Sequence, residues 1–324
     1  MNKRHALATL ALACLTSTVY AQSNATYPNK PVKLVVGFAP GGAADHVARS
    51  MSDAFGRALG TSVVVENRAG AGSSIAAEIV AKAPADGYTV LIASPSSISV
   101  NPALNSKLGY TPKDLMPVTK ITTSPLVIAA NPNIGIHNLQ DLIARAKKEP
   151  GRVNYATSGN GSAPHLGAAL FTQLANVELT HIPFRGGGPA IQSLIAGDTQ
   201  ITFGTPPSVL PMIQAGRLKG LAVSTMERTA LVPGIPGMRE AGLPEYGIEF
   251  WYGIFVPAAT PAPVVKKIYE AAQWAMGQAN VKAALNREGT DVDLSKSPEQ
   301  FAAFLQDDAK FWVKLVKSAG VKLD

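Results

Sequence analysis

The sequence predicts an α/β protein built as two domains with a hinge and a ligand cleft between them, and three observations point that way. From Lys33 onward, short runs of β-branched residues alternate with stretches whose apolar residues recur at helical spacing, the mark of α/β architecture with parallel strands. The alternation stops in a Pro/Gly-rich stretch over 232–247 (VPGIPGMREAGLPEYG), after which one more strand and two more helices follow. A length of 324 residues is enough for about two domains of roughly 150 residues each.

The elements follow in order. Residues 33–38 (KLVVGF) read as a buried strand that Gly41 and Gly42 break, and Ala44, Val47, Ala48, Met51, Phe55 and Leu59 then recur with a helical period. Further strands are predicted over 62–66, over 87–93, where Tyr88, Val90 and Ile92 alternate, and over 126–130, 153–156, 177–181, 200–203 and 218–224. Short Ala-rich helices lie between them. The last block reads as a strand over 251–256, a helix over 264–277 and an amphipathic helix over 301–319. Phe304, Leu305, Trp312, Leu315 and Val316 are expected on one side of that last helix, with Lys310, Lys314 and Lys317 on its solvated surface. If this block returns to the first domain, domain 1 comprises 22–124 plus 248–324 and domain 2 comprises 125–247. Two segments then cross between them, as a hinged, cleft-forming protein needs.

Residues 1–21 carry Lys3 and Arg4 before an apolar stretch, and a small residue at Ala21, the three parts of a secretory leader with cleavage expected after Ala21. Cys14, the one cysteine, lies inside it. A lipid attachment there would want a bulky apolar residue three positions earlier, where Ala11 stands. Cleavage leaves a chain with no disulfide, no thiol chemistry and no thiolate metal site. Removing Lys3 and Arg4 from the 29 basic residues leaves 27 against 22 acidic ones, a mild net charge of +5. The basic residues are scattered and not interleaved with stacking aromatics, which argues against nucleic acid as a partner. After the leader no apolar run approaches the ~20 residues that cross a bilayer.

Three glycine-rich junctions stand at strand-to-helix turns: residues 38–42 (FAPGG), 158–162 (SGNGS) and 184–188 (FRGGG). Such turns present bare backbone N–H groups at the positive end of a helix dipole, where carboxylate or phosphate binds. The alternative is a tight turn that simply needs φ > 0. Hydroxyl and amide side chains cluster beyond strand ends, with Ser94, Ser96, Ser97 and Asn101 after one strand and Ser158, Asn160 and Ser162 after another. In doubly wound sheets ligands bind at this edge; helix capping is the plainer role for the same residues.

Catalytic signatures are missing. The GAG of 70–72 continues into Ser73 and Ser74 and lacks the last glycine of a dinucleotide turn, and no phosphate-binding loop with its GK[ST] ending, GxSxG or HExxH occurs. The five histidines, His5, His46, His137, His165 and His181, show no metal-ligand spacing, so neither a metal nor a cofactor is expected. His165 with Asp45 is the best pair available to a rival reading as an exported enzyme. Asp45 also suits ordinary dipole compensation in a first helical turn.

Together, residues 27–31 (YPNKP), 36–42 (VGFAPGG) with Asp45, 65–72 (VENRAGAG), 85–89 (ADGYT) and 184–190 (FRGGGPA) resemble the Bug receptors. These are extracytoplasmic solute-binding proteins related to the receptor of the tripartite tricarboxylate transporters. The resemblance spans essentially the whole chain after the leader. It implies a type II periplasmic-binding-protein fold, a periplasmic monomer that is not an enzyme, a small organic acid as ligand, and the membrane subunits of a tripartite tricarboxylate-type transporter as partners. A receptor that signals to a membrane sensor would use the same closure. Carried over by position, the resemblance implies ligand contacts at Phe38, Pro40, Gly41, Gly42 and Asp45, at Ser158, Gly159, Asn160, Gly161, Ser162 and His165, and at Arg185, Gly186, Gly187 and Gly188, with Asn67 and Arg68 bracing neighbouring loops. Ser94, Ser96 and Thr205 complete the expected site. Many relatives carry Asp after the strand ending at Phe203, whereas this chain has Gly204-Thr205-Pro206-Pro207, so a carboxylate without an amino group is expected.

Overall fold

The computed structural model describes residues 27–318, so the leader and Cys14 lie outside the described residues. In chain order the elements are β1 (Val32–Val36), α1 (Ala43–Leu59), β2 (Val63–Asn67), α2 (Ser74–Ala81), β3 (Thr89–Ala93), α3 (Asn101–Leu104), β4 (Leu115–Pro125), β5 (Val127–Ala130), α4 (Leu139–Lys148), β6 (Asn154–Thr157) and α5 (Ala163–Ala175). They continue with β7 (Thr180–Pro183), α6 (Gly187–Ala196), β8 (Ile201–Gly204), α7 (Pro206–Gln214), β9 (Lys219–Val223), α8 (Met238–Ala241), β10 (Glu249–Pro257), α9 (Ala262–Gly277), α10 (Ala279–Arg287), β11 (Asp291–Val292) and α11 (Pro298–Ser318).

Two sheets organise these elements. The first has the order β11-β4-β10-β3-β1-β2 and the second β7-β6-β8-β5-β9. The first therefore joins strands from both ends of the chain, while the second uses only the middle. Parallel pairing links β1 to β2 and β3, and β6 to β7 and β8. The expectation of parallel strands needs correction elsewhere, because β10 runs antiparallel to β3 and β4, and β5 antiparallel to β8 and β9. Each reversal falls where the chain leaves or returns to a sheet without a crossover helix.

The strand β4 has no counterpart in the sequence reading. Its residues LMPVTKITTSP carry Pro117 and several hydroxyls, which mask a strand pattern. Pro117 pairs with Phe255 beside a register shift in β10, where a missing N–H is tolerated. Burial on each face comes from the β-branched runs. Val32, Leu34 and Val36 of β1 pack with Val47, Met51 and Phe55 of α1, and Ile268, Ala272 and Met276 of α9 cover the same layer. Around the second sheet Ile128, Tyr155, Leu166, Phe171 and Phe203 form the corresponding core.

Two segments of chain cross between the two halves, and a third element spans them by packing. The chain crosses at Leu126 and returns at Ile248, and Ser224 ties both crossings together. Its Oγ accepts from the Leu126 N–H at 2.8 Å and donates to the Ile248 carbonyl at 2.6 Å. The third is α11. Its Phe301 lies against Trp251 and Phe255 beside the first sheet, whereas Trp312, Leu315 and Val316 enter the core that contains Leu166 and Phe171. Trp312 also lies against Phe250 of β10, with ring centroids 4.9 Å apart, so the end of this helix packs on both units. Phe304 also departs from its expected buried position, being 37% exposed, with the Lys120 ammonium 4.7 Å from its ring centroid.

Candidate functional site

The carboxyl ends of β1, β3, β6, β7 and β8 open onto a common cleft, because parallel strands send their following loops to the same edge. An inner chamber lies there. Phe38, Ala39, Gly42, Ala43, Ala44, Ser94 and Tyr252 line it from the first unit. Ser158, Ala163, Pro164, Gly187, Ile191, Thr202, Thr205 and Ser208 are among the residues that face them from the second. Among the described residues, none that lines this chamber carries a charge.

Four helices begin at its wall, and none has a side-chain cap: α1 after Gly42, α5 after Ser162, α6 after Gly186 and α7 after Thr205. The first N–H groups of a helix have no acceptor within it, so Ala43, Ala44, Ala163 and Gly187 bring donors without intrahelical partners to the chamber side. The start of α7 is different. Pro206 and Pro207 have no N–H, and the Ser208 N–H bonds to the Thr205 carbonyl at 2.9 Å, leaving the Thr205 and Ser208 hydroxyls, 3.2 Å apart, as the polar groups there. Only α1 among the four has an acid in its first turn, so the positive ends of the other three are not offset from within. Ser94 adds a hydroxyl that is 5% exposed and has no hydrogen-bond partner. A buried, unpartnered donor facing a chamber is what a ligand would satisfy.

An outer cavity of about 480 Å³ adjoins this chamber, with Phe38, Ala39 and Ser158 lining both. Residues 69–75 form one wall; Ser158, Gly159, Asn160, Arg185 and Gly186 form the other.

The expected site residues thus divide into three groups. Phe38, Gly42, Ser94, Ser158, Gly187 and Thr205 line the inner chamber, while Asn160, Arg185 and Gly186 line the outer cavity. Pro40, Gly41, Asp45, Ser96, Gly161, Ser162 and His165 line neither. Their positions have physical reasons. The Gly41 N–H, expected to face a ligand, donates to Asp45 Oδ2 at 3.0 Å. Asp45 is 4% exposed, and its oxygens also accept from Arg49 Nε at 2.9 and 3.0 Å and from Asn67 Nδ2 at 2.9 Å. Burial opposes its ionisation, but Arg49, Gly41 and Asn67 outweigh that and hold the carboxyl below the usual range. Asn67 also donates to the Phe38 carbonyl at 3.0 Å, so it braces the glycine loop, whereas Arg68 pairs with Glu66 on its own strand.

On the second unit, His165 Nδ1 accepts the Gly161 N–H at 3.0 Å, and its ring stacks on His181 with centroids 4.0 Å apart. Burial and then the neighbouring His165 pull the His181 imidazole down to about 3. Ser162 Oγ donates to the Gly159 carbonyl at 2.6 Å, and Ser96 is buried in the irregular helical turn Ser96–Val100. Asp45 and His165 are therefore each committed to their own loop. Among the described residues, no three His, Cys, Asp or Glu side chains are grouped to hold a metal ion.

The sequence reading missed Tyr252, Thr202, Ser208, Ile191 and the first helical residues Ala43, Ala44 and Ala163. The last three lie one or two positions beyond a glycine junction that was recognised, so extending each junction into its helix would have found them. Tyr252 comes from the return strand β10, and no local signal marks it.

The chain matches the model of the tripartite tricarboxylate transporter family receptor over residues 47–321. It is similar to protein BugT of Bordetella pertussis, 33% identical with both chains covered in full. Among solved structures it is similar to a Rhodopseudomonas palustris protein, Rpa4515, described with adipate. That match has TM-score 0.87 at 31% identity and covers 91% of this chain and 99% of the other. It is likewise similar to MatC of the same organism with bound malate, TM-score 0.84 at 31% identity, covering 90% and 100%.

Proposed function

The chain belongs to the tripartite tricarboxylate transporter receptor family, and from that membership together with the two-sided chamber we propose that it captures a small organic carboxylate between its two units and delivers it, in the periplasm, to the membrane subunits of a tripartite tricarboxylate-type transporter. The observation that carries this reading is the chamber itself, an uncharged cavity with uncapped helix starts from both units on its wall. Fixed N–H dipoles suit a carboxylate because they stabilise negative charge without a counter-cation. Ser94 supplies a further donor.

The ligand lacks an amino group, since no carboxylate side chain lines the chamber to receive an ammonium and burying one without a partner is unfavourable. Neutral donors on opposite walls favour the closed state by differential affinity, and opening releases the ligand without chemistry. The relatives described with adipate and malate bind acids of this class.

Thermal unfolding of the leaderless protein, stripped of retained ligand, against a panel of short mono- and dicarboxylates tests the reading, with amino acids, amides, sugars and phosphate as controls. A ligand at ~100 times its Kd adds about 2.7 kcal/mol of stability, a clear shift of the midpoint. A dose-dependent shift with one group of organic acids is expected. Tight binding of an amino acid with no response to simple acids would overturn the assignment.

A further inference from the structure

Away from the inner chamber, the two units meet where neither has room for a side chain. A Cβ placed on Gly72 of the first unit would lie 2.6 Å from the Asn160 carbonyl oxygen of the second and 2.9 Å from Asn101 Nδ2 of its own unit, and one on Gly186 would lie 3.0 Å from Ala39 Cβ. Both points border the outer cavity and neither Gly72 nor the Asn160 carbonyl belongs to the inner one.

The loop that carries Gly72 is held in an unfavourable shape. Gly70, Ala71, Gly72 and Ser73 have φ of +137°, +46°, +57° and +74°, and two of these are not glycine. Left-handed backbone at an L-residue is disfavoured and persists where surroundings over-determine it. Here Asn101, 1% exposed, supplies that constraint. Its Nδ2 lies 3.0 Å from the Ala71 carbonyl, 2.9 Å from that of Gly72 and 2.7 Å from Ser74 Oγ. From below, Ser73 Oγ occupies the space a Cβ on Gly37 would need, 1.8 Å from that position. The loop is thus pinned on its inner side and carried outward until its backbone touches the second unit.

We infer that Gly72 is a positioning residue for closure: lacking a side chain, it lets the pinned 70–73 loop seat on the Asn160 carbonyl, so retention of ligand depends on a contact outside the chamber that holds it. The inference rests on the reading of the protein as a carboxylate carrier with a closing cleft. Gly186 opposite Ala39 forms the second seat. A side chain at Gly72 meets the rigid Asn160 backbone across the cleft more closely than the Asn101 amide on its own side, and it touches no chamber residue, so it keeps the units apart and the ligand escapes faster while entry is unaffected.

The test compares Gly72→Ala and Gly72→Asn with Gly135→Ala in the leaderless protein. Gly135 has φ of +71° with nothing within 4 Å of its Cβ position, so it reports left-handed strain alone. Asparagine tolerates that conformation, so the second variant remains informative if alanine impairs folding. The probe is the acid of the panel, adipate and malate included, that most stabilises the wild type. Dissociation measured by stopped-flow tryptophan fluorescence should be faster by about tenfold in both Gly72 variants and within about twofold of wild type in Gly135→Ala, with association unchanged in all. Equal dissociation from the Gly72 and Gly135 variants overturns this inference and leaves the carrier reading intact. A wild type that responds to no acid overturns the carrier reading and this inference with it.

Discussion

The two glycine loops that face each other across the cleft share one design and differ in the chemistry that fixes it. In the first, Gly41 at φ +81° donates its N–H to the side chain four residues on, the Asp45 carboxylate. In the second, Gly161 at φ +69° does the same to His165 Nδ1. Both arrangements curl the loop at the start of a helix, after which Ala43 in one unit and Ala163 in the other line the chamber. One relies on a charged acceptor braced by Arg49 and Asn67, the other on a neutral imidazole stacked on His181. The same backbone shape therefore depends on charge in one unit and on the lack of it in the other.

The largest effect that separates them is removal of the acceptor. Asp45→Ala leaves the Gly41 N–H, the Arg49 guanidinium and the Asn67 amide without their shared partner, and a loss of about 3 kcal/mol is expected. His165→Ala frees one backbone N–H and one stacking face, for about 1–2 kcal/mol. Urea unfolding of both variants checks the order. A His165 variant less stable than the Asp45 variant would mean that the stacked pair, not the ion pair, dominates.

Acid sharpens the same contrast. The folded-state pKa of His181 is depressed to about 3 from an ordinary 6.5, so its contribution is fully present above pH 6.5 and is lost as pH falls through that window. Asp308 in α11 has the opposite sign. Burial raises its carboxyl to about 6, although Trp312 Nε1 donates to it at 3.0 Å, so its contribution is full below about pH 4 and is lost as pH rises through 6. Between pH 7 and 5 the two oppose each other and the net slope is small. Asp308→Asn removes the opposing part, so this variant should lose about 1–2 kcal/mol more than wild type over the same interval. Parallel pH profiles for the two proteins would show that Asp308 is ionised throughout.

The comparison also shows what the sequence could carry. The alternation of strands and helices was legible because β1 and β3 are rich in β-branched and other apolar residues, and the three glycine junctions were found because glycine itself marks a backbone requirement. The partner of each loop glycine was less accessible. Asp45 and His165 are four residues from the glycines they serve, and as sequence they looked like ligand contacts; only geometry shows that Asp45 and His165 Nδ1 accept the N–H groups of those glycines. The strand β4 was hidden by Pro117 and its hydroxyls, and the spanning role of α11 by the fact that its two ends belong to different cores. Tyr252 reaches the chamber from a strand that returns over 120 residues after the second unit begins. Long-range closure of this kind leaves no local pattern to read.

The smallest effect tests the assignment of the first loop directly. Gly41→Ala retains the N–H that bonds Asp45 and points its Cβ into space with nothing within 4 Å, so the change adds only left-handed strain of about 1 kcal/mol. Because that N–H serves Asp45 and not the ligand, affinity for the preferred acid should stay within about twofold. Gly41→Pro removes the same N–H and cannot adopt φ of +81°, so it costs more stability and disorders the start of α1. Calorimetric titration of the alanine variant decides the matter. Affinity lost without a matching loss of stability would place the Gly41 backbone in contact with the ligand and make the Asp45 bond a feature of the empty cleft alone. Retained affinity assigns the anion to the donors two and three residues further on, at Ala43 and Ala44, where the helix has no cap of its own.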